Sequence, residues 1–231
     1  MFSQVFLAVT HREMERFRPE KTAYMACHFS AGGTGLSNLP MQLPKGSILL
    51  LDDSMPVQGH DSKTVSRQLK EITDSFHPSA IILDFQRPRT AEADAMVSVI
   101  LEDVPCPVAV TPVYAAERRC PVFLPPPPVN QALGTYLQLW LKRGVFLEIA
   151  PETVQFTVTK GGCVSQSIPW EHTLPLADKK LHCHFREEVS PGMVTFTLTR
   201  TTEDLADLSR EAYALGIWGA LGLYRELVGD R

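Results

Sequence analysis

The sequence lacks the features that mark membrane-spanning, secreted and nucleic-acid-binding proteins. The apolar run in the opening MFSQVFLAVTHRE is only about seven residues long and follows no basic segment, so it is too short for a secretion signal or a membrane span. The formal net charge is −4, and the 22 basic residues are scattered rather than clustered for phosphate contacts. These absences predict a protein with neither a membrane nor a nucleic-acid partner.

Cofactor and metal motifs are also missing. The five cysteines form no C-x-x-C pair, and an odd number fits a reducing compartment better than a disulfide framework, which predicts a cytoplasmic location. There is no G-x-S-x-G elbow, P-loop lysine or G-x-G-x-x-G spacing, so no cofactor is expected. His182 and His184 stand two residues apart, but no third ligand follows at a metal-binding spacing, and we predict no metal site.

The bulk composition is that of an ordinary globular domain. Hydrophobic residues make up 44 % of the chain and charged residues 21 %, which argues against disorder. A chain of 231 residues can bury a sizeable core, and we expect residues 1–231 to form one domain. A small molecule, a sugar or another protein remains as the partner, and the oligomeric state stays open.

Short apolar runs rich in β-branched residues recur along the chain. They are nearly all apolar rather than alternating, as is typical of parallel strands covered on both faces. Helical patterns separate several of them, which indicates βαβ units. The predicted strands are residues 5–9, 23–29 (the weakest), 48–52, 80–85, 107–114, 121–124, 145–149 and 219–227.

The helical patterns are defined by apolar spacing and capping residues. Val65, Leu69 and Ile72 share one helical face, which predicts a helix over residues 64–77. Three further helices are predicted from Thr90, over 130–144 and over 203–215. The proline run that precedes the third is interpreted as a stiff loop rather than a ligand for a proline-reading module.

Residues 151–200 change pattern and alternate polar with apolar side chains, which predicts a small antiparallel β insertion before the last helix. Eight parallel strands are the number that closes a TIM-type (β/α)8 barrel. Residues 30–46 and 115–120 show no helical pattern. A distorted barrel or an open doubly wound sheet is therefore the alternative to a regular one.

One predicted strand end carries a resemblance to a known family. The stretch SAIILDFQRP (79–88) resembles the fourth-strand signature D-x-x-D-x-D-x-E of the glycoside hydrolase family 18 chitinases and their relatives. Ser79, Ile82, Asp84 and Gln86 fall on its four functional positions, and only Asp84 is retained. Phe85 stands beside it, as an aromatic residue does in the family.

The resemblance extends to the C-terminal part of the chain. Residues 207–227 resemble that family's last helix and strand, with Tyr224 in the place of an aromatic residue that is often tryptophan. Residues 30–33 copy its S-x-G-G motif, but the predicted strand 48–52 intervenes before the signature, whereas the two motifs are consecutive in the family. Altogether the resemblance covers about half of the chain and implies a barrel related to these glycosidases.

The resemblance also says which chemistry has changed. In the family a glutamic acid protonates the glycosidic oxygen, and the neighbouring aspartate positions the acetamido group of the substrate as an internal nucleophile. Gln86 stands in the place of that acid. An amide holds a sugar hydroxyl by hydrogen bonds but donates no proton in catalysis. The resemblance therefore implies a binder, or an enzyme with relocated machinery.

Strand ends supply the candidate site residues, because side chains at the carboxyl ends of barrel strands converge on one mouth. We expect an acid and base pair made by Asp84 with Glu148 or Asp53. The alternative interpretation is that these carboxylates cap helices or pair with arginines. The expected ligand-binding side chains are Gln86, Arg87, Tyr114, Tyr224 and Glu226.

Three functional hypotheses follow. The first is a glycosidase-like barrel that binds a carbohydrate with lost or altered hydrolysis. The second is an active glycosidase in which Asp84 works with Glu148 or Asp53. The third is a non-catalytic interaction domain that uses the proline run or the β insertion as its contact surface. The residues alone leave open whether the protein is an enzyme.

Overall fold

Eight apolar segments form parallel strands that close into a barrel. A computed structural model describes residues 2–17 and 19–229 of the chain, so Met1, Asp230 and Arg231 at the two ends lie outside it. Each barrel strand pairs with its two neighbours in parallel, and β1 also pairs with β2, which closes the ring. The barrel strands are β1 (Val5–Val9), β2 (Thr22–Phe29), β4 (Ile48–Asp52), β5 (Ala80–Asp84), β6 (Val108–Val110), β7 (Val122–Leu124), β8 (Val145–Glu148) and β14 (Gly219–Leu223); the two-residue β3 (Leu36–Ser37) adds to β2 in antiparallel fashion.

The strands are apolar on both faces because both faces are buried. Ile48, Ile82 and Phe146 point into the barrel and form its inner core. Side chains on the other face, such as Leu49 and Ile81, pack against the surrounding helices and loops in a second core. The pattern of nearly continuous apolar runs is the expected signature of this arrangement, and the predicted barrel is confirmed.

The longer helices begin where the sequence places capping residues. The side chain of Asp61 accepts from the backbone N–H of Thr64, and Thr201 and Asp204 form a reciprocal capping box. The predicted helices over 64–77, from Thr90 and over 203–215 are confirmed within a residue or two at each end. The helices are α1 (His11–Phe17), α2 (Ser62–Phe76), α3 (Ala91–Asp103), α4 (Pro112–Ala115), α5 (Leu133–Leu137), α6 (Thr202–Ala214) and α7 (Tyr224–Leu227).

Three predicted segments are shorter than the sequence indicated. The expected strand 107–114 ends at Val110, because Pro112 has no N–H for the ladder and instead opens α4. The expected strand 219–227 ends at Leu223, where α7 begins. The expected helix 130–144 contains only α5 and a 3₁₀ turn at Leu141–Arg143. Helix α1 was not predicted.

The β insertion is a five-stranded antiparallel sheet between β8 and α6. Its spatial order is β10-β9-β13-β12-β11, so β10 is one edge, and the other consists of β11 and the residues of β12 beyond Phe185, which β11 does not cover. Alternate residues share a face, and the apolar set includes Phe156, Phe185 and Phe196. The predicted insertion is confirmed. Its strands are β9 (Thr153–Thr159), β10 (Gly162–Ser167), β11 (Leu176–Asp178), β12 (Cys183–Ser190) and β13 (Met193–Thr199).

A buried arginine joins this insertion to the barrel. Arg200 follows β13 and is 1 % exposed. Its guanidinium donates to the carbonyl oxygens of Pro127 and Pro128, the latter at 3.1 Å, and Trp170 donates from its indole Nε1 to the Arg200 carbonyl at 3.0 Å. The proline run is therefore a stiff loop whose carbonyl groups anchor the insertion, as the stiff-loop interpretation predicted.

The described part of the chain contains no helix that is both long enough and apolar enough to cross a membrane.

Candidate functional site

The carboxyl ends of adjacent strands bring three polar side chains into one row. In the parallel register, His28 of β2 pairs with Asp52 of β4, and Asp52 pairs with Asp84 of β5. Asp52 and Asp84 lie two residues beyond inward-facing core residues, so their side chains project from the inner face at the mouth of the barrel. One arc of the mouth is therefore lined by polar side chains above an apolar floor.

Glu148 enters the mouth from another strand. It follows Phe146 by two residues on β8, so it shares the inner face with that core side chain, and its register partner on β14 is the inward-facing Leu221. Burial raises the pKa of Glu148 to about 7, and the charges of Asp84 and Glu226 add to the rise. The predicted partners Asp84 and Glu148 therefore interact electrostatically within one mouth.

Asp84 is held by the side chain of Gln86, two residues further along the chain. The side-chain amide of Gln86 donates from Nε2 to both carboxylate oxygens of Asp84, at 3.1 and 3.2 Å. Burial raises the pKa of Asp84, the hydrogen bond from Gln86 lowers it, and the charges of Asp52 and Asp53 raise it further. Below Asp84 on the same face is Ile82, which is fully buried in the inner core. This apolar floor explains the poor solvation of the carboxylate.

The mouth therefore contains two carboxyl groups with raised pKa values and one neutral amide. A glutamic acid with a pKa of about 7 is largely protonated at slightly acidic pH and half protonated near neutrality, so Glu148 can donate a proton or a hydrogen bond. Asp84, bonded to Gln86, can accept hydrogen bonds from a ligand. The arrangement suits a neutral polyhydroxylated molecule better than an anion, because the carboxylates repel negative charge.

Tyr136 lies near Glu148 in the same wall. Its hydroxyl donates to the carbonyl of Pro125, at the end of β7, at 2.9 Å. Burial raises the pKa of Tyr136 to about 12, with a contribution from the charge of Glu148. The sequence predicted a helix over residues 130–144, which include Tyr136, but gave no signal that the phenol stands beside a carboxylate. His28 was likewise visible only as part of a weak strand.

A small cavity opens in the mouth between β1, β2 and β14, with a volume of about 200 Å³. Tyr224 and Arg225 line it on one side. Tyr224 stacks on Phe17 with ring centroids 4.5 Å apart, and Arg225 pairs with the carboxylate of Glu13. The remaining lining residues are Ala8, Thr10, Glu13, Met25 and Leu223. Tyr224 is thus at the mouth, as expected.

Glu226 follows Arg225 in the chain. It lines a wider cleft of about 740 Å³ together with Trp170 and His172 of the insertion. Burial raises the pKa of Glu226. The charge of Glu226 also raises the pKa of Glu148, so Glu226 is close enough to influence the mouth. Its side chain, however, lines the neighbouring cleft.

Asp53 and Arg87 join the two loops that follow strands β4 and β5. The Asp53 side chain is buried, and its two carboxylate oxygens accept from the backbone N–H groups of Gln86 and Arg87 at 2.9 and 3.0 Å. The guanidinium of Arg87 donates to the backbone carbonyls of Asp53 and Ser54 at 2.7 and 2.6 Å. These contacts tie the loop after β4 to the loop after β5 and hold the backbone of Gln86 in place, and both oxygens of Asp53 are used in them. Glu148 is the partner of Asp84 that the geometry favours.

We expect Asp53→Ala to destabilise the fold by roughly 2 kcal/mol or more, because it leaves two backbone N–H groups without their charged acceptor. Chemical denaturation of the variant measures the loss. Asp74→Ala, at an exposed position on α2, is the matched control and should stay within about 0.5 kcal/mol of wild type. An Asp53→Ala protein as stable as this control would show that Asp53 does not hold the two loops together.

Tyr114 does not reach the mouth. It lies on α4 in the outer core, 1 % exposed, with its ring edge-on to Phe85 at a centroid distance of 5.9 Å. Its buried hydroxyl has no hydrogen-bond partner among the described residues. The expectation that Tyr114 binds a ligand came from treating residues 107–114 as one strand. Because α4 begins at Pro112, the tyrosine turns to the outside of the barrel.

The two histidines of the insertion bind carboxylates of α6. Nε2 of His182 is 2.5 Å from Glu211, and Nδ1 of His184 is 2.9 Å from Asp204. Across residues 2–17 and 19–229, no three or more His, Cys, Asp or Glu side chains are grouped as a metal ion would need. These histidines therefore join the insertion to α6.

Comparison with known proteins gives a likeness in structure only. No protein-family model and no curated protein sequence matches the chain. The spore cortex-lytic enzyme SleL of Bacillus cereus superposes with a TM-score of 0.54 at 10 % identity, over 95 % of this chain and 70 % of that chain. The SleL enzyme of Bacillus megaterium QM B1551 gives 0.53 at 10 % identity over the same shares. A chitinase from Chromobacterium violaceum ATCC 12472 gives 0.48 at 11 % identity, over 94 % of this chain and 93 % of that chain. The chain therefore shares its barrel fold with the SleL spore cortex-lytic enzymes.

Proposed function

We propose that this protein is a glycosidase-like barrel that binds a carbohydrate in its C-terminal mouth, with hydrolysis lost or altered. The observation that carries the proposal is the pair of hydrogen bonds from Gln86 to Asp84 at the end of the fourth barrel strand. The resemblance to glycoside hydrolase family 18 gives these positions to the acid and to the aspartate that orients the acetamido group. An amide in place of the acid keeps the hydrogen bond and removes the proton.

The ligand class follows from the chemistry of the mouth and from the SleL likeness. Asp84 accepts hydrogen bonds, Gln86 donates and accepts them, and Glu148 donates when protonated, which suits hydroxyl and acetamido groups. The SleL enzymes lyse spore cortex. The proposed ligand is accordingly a cell-wall type glycan that contains N-acetylated sugars, and soluble N-acetylglucosamine oligomers are its simplest probes.

Titration calorimetry of N-acetylglucosamine oligomers tests this proposal. We expect wild type to bind them without cleavage, and Gln86→Ala to weaken binding by roughly tenfold, the effect of losing one hydrogen bond to a charged group. Gln138→Ala is the matched control, because that glutamine is exposed and makes no side-chain hydrogen bond among the described residues. Absence of binding by wild type, or equal binding by Gln86→Ala and wild type, would contradict the proposal.

A second candidate function is hydrolysis with relocated machinery. The specific observation in its favour is the raised pKa of Glu148, which keeps a carboxylic acid protonated near neutral pH close to Asp84. Such a pair can divide the work, since one group donates a proton to the leaving oxygen while the other remains ionised. In this reading Glu148 is the acid and Gln86 only orients the sugar.

If the barrel is an active glycosidase, Glu148→Gln lowers the rate of reducing-end release by roughly 100-fold or more, because the general acid is lost. Asp84→Asn has a similar effect. The rate of the wild-type enzyme falls as the pH rises through about 7, where Glu148 gives up its proton. A reducing-sugar assay on purified protein decides between the two candidates. Binding without any release supports the first, and release that survives Glu148→Gln rules out Glu148 as the acid.

A further inference from the structure

The two edges of the antiparallel insertion differ in how they are protected. One edge consists of β11, which is three residues long and contains Asp178, and of the part of β12 that β11 does not cover. That uncovered part carries the charged side chains of Arg186, Glu187 and Glu188. A short strand with nearby charges is a common way of preventing an edge from pairing with another chain. Strand β10 (Gly162–Ser167) is the opposite edge, has six residues and carries neither a charge nor a proline. It has none of those protections.

Strand β10 is also exposed to solvent along its whole length. All six of its residues are exposed, and within the described part of the chain β9 is its only strand partner. Its outward-facing backbone N–H and C=O groups therefore have no partner in a neighbouring strand. The side chain of Val164, at the middle of the strand, is 71 % exposed, although β-branched apolar residues favour buried strand positions.

Strand β10 can pair with β10 of a second copy of the chain. A twofold axis perpendicular to the sheet places the same face of both copies on the same side of the joined sheet. Residues that lie opposite each other in an antiparallel pair point to the same side, so their residue numbers must add up to an even number. With the axis at Val164, that valine meets its counterpart, and Cys163 stands opposite Ser165. No like charges come together because β10 has none. The pairing buries the exposed valine and joins the two five-stranded sheets into one of ten strands.

We propose that β10 is a dimerisation edge, which pairs antiparallel with β10 of a second copy of this chain around Val164. The pairing supplies hydrogen bonds for the outward-facing backbone groups and a cross-strand valine pair at the centre. Asp84, Gln86 and Glu148 lie on barrel strand ends outside the insertion, so none of them takes part in this pairing. The dimer would present two mouths from one continuous sheet.

Sedimentation velocity of the full chain over a wide range of concentrations tests the proposal. We expect wild type to dimerise, and Val164→Lys and Val164→Glu each to weaken the dimer by roughly tenfold or more, because two like charges then meet at the axis. Val113→Lys is the matched control. Val113 is 55 % exposed on α4 of the barrel, outside the insertion, so this variant should dimerise like wild type.

Mixing the two variants gives a sharper readout that a folding defect does not imitate. An equimolar mixture of Val164→Lys and Val164→Glu should recover the dimer, because the lysine of one copy then faces the glutamate of the other. Circular dichroism on each variant checks that the fold is intact. A wild-type protein that stays monomeric at every concentration, a Val164→Lys variant that dimerises like wild type, or a mixture that remains monomeric would each overturn the proposal.

Discussion

Replacing Arg200 by alanine should lower the free energy of unfolding by roughly 3 kcal/mol or more. The guanidinium is fully buried, burial lowers its pKa, and its hydrogen bonds are to the carbonyl oxygens of Pro127 and Pro128 rather than to a carboxylate. The substitution leaves those carbonyls without their charged donor and creates a cavity between the insertion and the barrel. Both losses are among the few mechanisms that give large effects for a single substitution.

Equilibrium denaturation measures this effect, and Arg210→Ala provides the comparison. Arg210 is an exposed arginine on α6 whose ion pair within residues 2–17 and 19–229 is with the nearby Asp207, so its replacement should change stability by no more than about 0.5 kcal/mol. The loss of unfolding free energy is thus expected to be several times larger for Arg200→Ala than for Arg210→Ala. If Arg200→Ala unfolds at the same denaturant concentration as Arg210→Ala, the buried arginine does not anchor the insertion.

Replacing Glu148 by glutamine should stabilise the protein at alkaline pH and not at acidic pH. The pKa of Glu148 is raised from 4.5 to about 7 in the folded state, so the folded protein holds this proton more tightly than the unfolded chain does. The associated stability is fully present below pH 4.5 and is lost as the pH rises through about 7. Above about pH 7 the folded protein contains the buried charge of Glu148, which lowers the free energy of unfolding by up to roughly 3 kcal/mol.

Glutamine has nearly the same shape and no charge to bury. Thermal unfolding of Glu148→Gln and wild type should therefore coincide near pH 4, diverge between about pH 4.5 and 7, and keep that separation above about pH 7, with the variant more stable. Glu102→Gln, at an exposed position on α3, is the control and should follow wild type at every pH. A constant difference between Glu148→Gln and wild type across this pH range would show that the carboxyl group is not held in its neutral form by burial.

The sequence predicted the barrel because its strands are apolar on both faces. Runs such as Ile48–Asp52 and Ala80–Asp84 have no alternation, and this pattern has few structural explanations besides a covered parallel sheet. Prediction failed where local chemistry ended an element early. Pro112 ended β6, and residues 130–144, whose spacing indicated a helix, hold only α5 and one 3₁₀ turn. Apolar spacing indicates which side of a segment is buried but not where the backbone leaves the helix.

The candidate site was predictable only as far as strand ends specify it. Asp84 and Glu148 converge because both are the last residues of their strands and face inward, which the topology alone requires. Asp53 lies one residue past a strand end, and its carboxylate turns to the backbone amides of the next loop. No periodicity reports such a turn, so the sequence could not separate Asp53 from Glu148 as the partner of Asp84. The contribution of Tyr136, on a helix far along the chain, depended equally on tertiary packing.

We propose that a carbohydrate binds where Gln86 contacts Asp84. Nuclear magnetic resonance of the ¹⁵N-labelled side-chain amides during titration with an N-acetylglucosamine oligomer tests this, with the Gln86 signal assigned by its loss in Gln86→Ala. We expect the Gln86 amide signal to shift in a saturable manner, while the signal of exposed Gln138 does not move. A saturable titration seen elsewhere in the spectrum with the Gln86 signal unmoved, or no response to the oligomer at all, would contradict binding at this position.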